Sequence, residues 1–81
     1  MPKENDVRAM KQVRMILGRR GIDITRADVR VQNGVCHIRG FVSALPTFSL
    51  GNMDTELQQA AQIIRQRPEV TNVIIEVAGR G

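Results

Sequence analysis

Val29-Arg30-Val31-Gln32-Asn33-Gly34-Val35-Cys36-His37-Ile38-Arg39-Gly40 is the stretch whose reading decides the fold. Asn33-Gly34 is a strong hairpin signal, because both residues tolerate the positive φ that a two-residue type I′ turn demands. Such a turn sets Val31 opposite Cys36, Arg30 opposite His37 and Val29 opposite Ile38, and it brings Asp28 to Arg39. Side chains alternate across a strand. Val29, Val31, Cys36 and Ile38 therefore share an apolar face, while Arg30, Gln32, Val35, His37 and Arg39 share a mostly polar one. A slip of one residue would turn the apolar set into water, so the pattern itself specifies the register.

Working outward, the hairpin strands are expected over about 28–32 and 35–42, with Gly40 on the covered face, where it lets a helix backbone approach closely or allows a bend. Upstream, Asn5 or Asp6 is placed to cap a helix running to residues 17–20. Val7, Ala9, Met10, Val13, Ile16 and Leu17 fall within one half of its wheel; Arg8, Lys11, Gln12, Met15 and Arg19 fall on the other. Acids at its start and Arg19 and Arg20 at its end suit the helix dipole, and Gly18 or Gly21 is a natural stop. Residues 21–27 form an extended lead-in in which Ile22 and Ile24 alternate with polar neighbours.

Downstream, residues 43–53 read as a connection carrying Leu45, Phe48, Leu50 and Met53 without a clean period. A second helix opens at Asp54 or Thr55, where Thr55 and Gln58 have capping-box spacing. Leu57, Ala60, Ala61 and Ile64 form its apolar stripe, and Pro68 ends it. The last strand covers 72–78, with Val73, Ile75 and Val77 facing one way. A strand, a crossover helix and a further strand make a right-handed parallel unit. The expected architecture is thus α+β in the order α-β-β-α-β: a three-stranded mixed sheet with two helices packed on one face. It forms one domain over 1–81, with frayed tails at 1–5 and 79–81.

Composition narrows the function. The chain has 81 residues and a formal charge of +4. All of that excess lies in residues 1–30, so Arg8, Lys11, Arg19 and Arg20 make a basic face on the first helix that suits anionic partners. Phe41 and Phe48 are the only aromatics, too few for a base-stacking platform. The single Cys and the single His are adjacent on one strand, so their side chains leave opposite faces and cannot form a nucleophile pair. They also fall short of a zinc ligand set. Gly18-Arg19-Arg20-Gly21 follows a helix and leads into extended chain, which is not the helix-to-helix context of a KH-domain loop. No catalytic, metal or cofactor site is expected, and the chain is not expected to be an enzyme. No apolar run of signal-peptide or membrane-spanning type stands out, which suits the cytoplasm for the chain as written, although a fragment stripped of its export signal would look identical.

The stretch Asp28-Val29-x-Val31-x-Asn33-Gly34-Val35-Cys36-x-Ile38-x-Gly40-x-Val42 resembles the core of the BON domain family, which typically shows valines, Asn-Gly, then alternating apolar residues ending in Gly-x-Val. Residues 61–77, a helix, a Pro and then Glu69-Val70-Thr71-Asn72-Val73, are similar too, and the likeness covers most of 7–78. Glu69 stands where the family usually has Gly, and the connection before the second helix is longer than usual. The resemblance implies a non-enzymatic interaction module that contacts a protein partner or a phospholipid surface, with a bacterial envelope or periplasmic address if the chain is a fragment lacking its export signal.

Placed on these residues, that function uses the open sheet face, Val35, Phe41 and Ile74 among Arg30 and Arg39, extended by Leu45, Phe48 and Leu50 of the connection. Self-association through an edge strand, either the 35–39 strand or the last one, is a further expectation. The alternative is a nonspecific nucleic-acid binder using the basic first helix.

Overall fold

The computed structural model describes residues 4–46 and 51–80, with the last three of these described by backbone alone. The element order is α1 (Glu4–Arg19), β1 (Ile22–Asp23), β2 (Ala27–Gln32), β3 (Val35–Ala44), α2 (Met53–Arg65) and β4 (Asn72–Arg80). The fold is α+β. Asn33 and Gly34 both have positive φ, 51° and 82°, and the β2–β3 register is Val31 with Cys36, Arg30 with His37, Val29 with Ile38 and Asp28 with Arg39. β4 runs parallel to β3 on its other edge, so the sheet is mixed and β3 is its centre.

The sheet has one strand more than the sequence pattern suggested. β1 pairs antiparallel with the end of β3, Ile22 with Ala44 and Asp23 with Ser43, so β3 extends into what read as connection. Phe41 N–H donates to Arg26 C=O and Leu45 N–H to Gly21 C=O. Alternate N–H groups of a strand point the same way, so β1 and β2 line the same edge as one strand broken at residues 24–26. The break re-phases the strand: Val29 and Val31 are buried at odd positions, and Ile22 is buried at an even one. The Asp23 carboxylate holds it, accepting from Thr25 N–H and Thr25 Oγ1 at 2.9 and 2.8 Å, while Ala27 N–H donates to Ile24 C=O. Gly40 faces the break at φ +97°, and a Cβ there would lie 2.8 Å from Arg26 C=O. It is the bend allowed from sequence, and it approaches strand backbone rather than a helix.

Both helices cover one face. Ala9, Val13, Ile16 and Leu17 of α1 and Leu57, Ala60, Ala61 and Ile64 of α2 form one core with Val29, Val31, Cys36, Ile38, Val42 and Val73. Burying a side chain of Leu or Ile size contributes roughly 1.5–3 kcal/mol, so this shared core holds the layers together. Arg20 ties the helices further, donating to Glu56 Oε2 at 2.9 Å and to Gln59.

Three local readings are corrected. Asp6 is not a helix cap; it is buried inside α1 and accepts from Asn33 N–H at 3.0 Å and Gly34 N–H at 3.2 Å. The cap of α2 is Asn52, whose side chain accepts from Thr55 N–H, rather than Thr55 in a capping box. The terminal segments expected to fray are partly structured: Glu4 and Asn5 lie in α1, and Gly79 and Arg80 pair with Phe41 and Val42.

Candidate functional site

The face of the sheet away from the helices is the candidate site. Residues pointing there stack in cross-strand rows: Arg30, His37 and Ile74 in one, Asp28, Arg39 and Glu76 in the next. Arg30 Nε lies 3.0 Å from Asp28 Oδ1 and Arg39 Nη2 3.6 Å from Glu76 Oε1. Exposed pairs of this kind add little stability, but they match the charges of the face internally. A shallow depression of about 190 Å³ lies over Asp28, Arg30, Gln32, His37 and Arg39. A second, of about 320 Å³, lies beside the strand break between Asp23, Thr25, Arg26, Phe41 and Ser43. The hydrogen bonds that Asp23 accepts from the backbone and side chain of Thr25 hold its carboxyl below the ordinary carboxylate value.

The fold brings Val35, Phe41, Ile74, Arg30 and Arg39 to this one face. Phe41 is 36% exposed, and Val35 and Ile74 are half-buried. Leu45 lies just past β3 and is half-buried. Phe48 and Leu50 lie outside the described residues.

The basic face lies on the opposite side of the molecule, on the outward side of α1. Arg8, Lys11 and Arg19 are exposed there, with Arg8 3.8 Å from Glu4. Arg20 leaves this face for Glu56 of α2. Arg14, which the sequence reading passed over, joins it, and so do two apolar side chains, Met15 at 51% exposure and Val7 at 41%. Val7, in the apolar half of the wheel by periodicity, lies at the margin of that half, and the core does not reach it. The exposure of Arg14 was legible, since residues three and four apart share a helix face and Arg14 follows Lys11 by three.

Cys36 and His37 do leave opposite faces. Cys36 is fully buried, and burial pushes its thiol up to about 11. A thiol held neutral is a poor nucleophile. Among the described residues, no three His, Cys, Asp or Glu gather to hold a metal ion, and no helix is long and apolar enough to cross a membrane.

No family model matches the chain, and no curated protein or solved structure matches it either.

Proposed function

We propose that this chain is a non-enzymatic interaction module of the BON-domain kind that docks a protein partner through its open sheet face. The observation that carries this reading is the one-sided packing. Two helices occupy a single face of the sheet and leave Phe41, Val35 and Ile74 partly exposed on the other, among two internally matched ion pairs. An apolar patch rimmed by polar groups is the usual character of a contact site. The balance of Asp28 and Glu76 against Arg30 and Arg39 suits a protein surface better than a uniformly anionic one.

The test is the double substitution Phe41→Ser with Ile74→Ser, followed by co-purification from the source cell and by sedimentation. Loss of the associated protein supports the reading. Association unchanged from wild type removes it.

A second reading is favoured by the outer face of α1, where Arg8, Lys11 and Arg19 share a side with exposed Met15 and Arg14 stands at its margin toward β2. A basic helix face suits an anionic phospholipid layer, each cation near the surface contributing about 1 kcal/mol, or the phosphates of a nucleic acid. Exposed Met15 and Val7 favour the lipid, because phosphate contacts make no use of apolar tips. Flotation with anionic vesicles and gel shifts at two salt concentrations separate the two. Binding that survives Lys11→Gln, Arg14→Gln and Arg19→Gln together removes both.

A further inference from the structure

β3 is paired on both edges, so the 35–39 strand is not available for self-association. β2 is a different matter. It pairs only with β3, and no described strand lies beyond it. In a two-residue hairpin the residues that close the turn exchange hydrogen bonds, and every second pair after them does the same. Gln32, Arg30 and Asp28 thus bond to β3, while the backbone groups of Val31, Val29 and Ala27 point outward. A groove of about 300 Å³ runs along this free edge, lined by Met10 and Arg14 of α1 and by Asp28–Gln32. Val7 stands one turn before Met10 on the same side of the helix.

We propose that β2 pairs antiparallel with β2 of a second copy of this chain, about a two-fold axis through Val29. The charges select this arrangement. With Val29 opposite its own copy, Asp28 of each chain lies opposite Arg30 of the other, and Ala27 lies opposite Val31. Sliding one strand by two residues about the axis puts Asp28 against Asp28 or Arg30 against Arg30, and like charges directly opposite are destabilising. The outward backbone groups match in the same arrangement. The two Val29 residues exchange both of their bonds, and each Val31 N–H reaches the other chain's Ala27 C=O. Ala27 N–H is already held by Ile24 C=O and needs no partner. The other edge strand among the described residues, β4, holds Glu76 and Arg80, and only a two-fold at its very end, through Ala78, sets them opposite each other.

An isologous pairing of this kind closes after two copies. It also joins two open sheet faces into one continuous surface, since even-numbered side chains of β2 keep to the open face in both copies. The dimer does not depend on what docks on that face. Its failure therefore leaves the protein-docking reading standing, and the reverse holds too.

The test is sedimentation of the intact chain over a concentration series, for wild type, Asp28→Arg, Arg30→Asp, the double swap, and an equimolar mixture of the two single variants. Both side chains are more than half exposed, so the variants are expected to fold, and circular dichroism checks this. Each single reversal creates two like-charge oppositions and is expected to weaken the dimer about tenfold or more. The mixture restores it as a heterodimer, and the double swap restores it within one chain. If a reversal loses structure, the neutral variants Asp28→Asn and Arg30→Gln decide in its place, since each removes both attractive oppositions and is expected to weaken the dimer. Three results overturn the proposal: a wild-type chain monomeric up to about 1 mM, a dimer indifferent to both reversals, or a mixture and double swap that stay monomeric.

Discussion

Asp6 is the perturbation that tests the fold most sharply. Its carboxylate is 4% exposed and accepts from the two N–H groups at the tip of the hairpin, Asn33 at 3.0 Å and Gly34 at 3.2 Å. Those donors point away from the β2–β3 ladder because both turn residues have positive φ, so the turn cannot satisfy them itself. A hydrogen bond to a charged group is worth about 1.5–3 kcal/mol. Two of them, one rather long, put the loss in Asp6→Ala at about 3 kcal/mol. A domain of this size has a total stability on the order of 4–12 kcal/mol. With a urea slope of about 1 kcal/mol per molar, the midpoint falls by roughly 3 M, and with it goes a large part of the stability. Asp6→Asn keeps one acceptor and turns an NH₂ toward the other donor, so it loses about half as much or more. Glu4→Gln is the control. Glu4 sits in the same first turn but is exposed, so its charge acts only through the helix dipole, about 0.3–1 kcal/mol. Urea melts of the three variants decide between the roles. If Asp6→Ala and Glu4→Gln shift the midpoint equally, Asp6 is merely a first-turn acid and the clamp on the hairpin tip is wrong.

The glycines give a paired prediction of opposite sign. Gly34→Ala forces a side chain to φ +82° and sets its Cβ 3.2 Å from Thr71 Oγ1 and 3.3 Å from Glu69 C=O, so it should cost about 1–2 kcal/mol by urea melt. Gly18→Ala lies within α1 with nothing inside 4 Å of the new methyl, and should stabilise by about 0.5–1 kcal/mol. Cys36 predicts an alkaline limit. Its folded thiol lies at about 11 against 9.0 unperturbed, so between these values the folded chain holds the extra proton. Stability is then complete below pH 9 and is lost as pH rises toward 11. With no Tyr in the chain to titrate beside it, Cys36→Val should flatten the urea midpoint between pH 8 and pH 10.5 relative to wild type. An unaltered slope refutes the assignment. Ile38→Ala, at the centre of the core and fully buried, should cost about 2–5 kcal/mol in the same melts.

What could be read from the chain, and what could not, divides along the range of the interactions. The hairpin register was legible because a two-residue turn and an alternating pattern each fix it, and a local rule suffices when both agree. The helix stripes were legible for the same reason, with Val7 lost only because a margin position depends on how far the core extends. β1 was not legible. Ile22 and Ile24 alternate correctly, yet their phase is opposite to that of Val29 and Val31. Only the break at Asp23 and Thr25, seated against Gly40, brings both sets to one face. Asp6 was misread because an acid at a helix start has an ordinary local use, the cap, and sequence does not show that donors 27 and 28 residues away lie within reach. The surfaces follow the same division. Which side chains share the open face followed from parity, but the identity of the free edge required knowing that β4 returns beside β3 rather than beside β2. That choice makes β3 the centre, leaves Asp28 and Arg30 on an edge strand, and turns the hairpin stretch into the edge at which the proposed second copy docks.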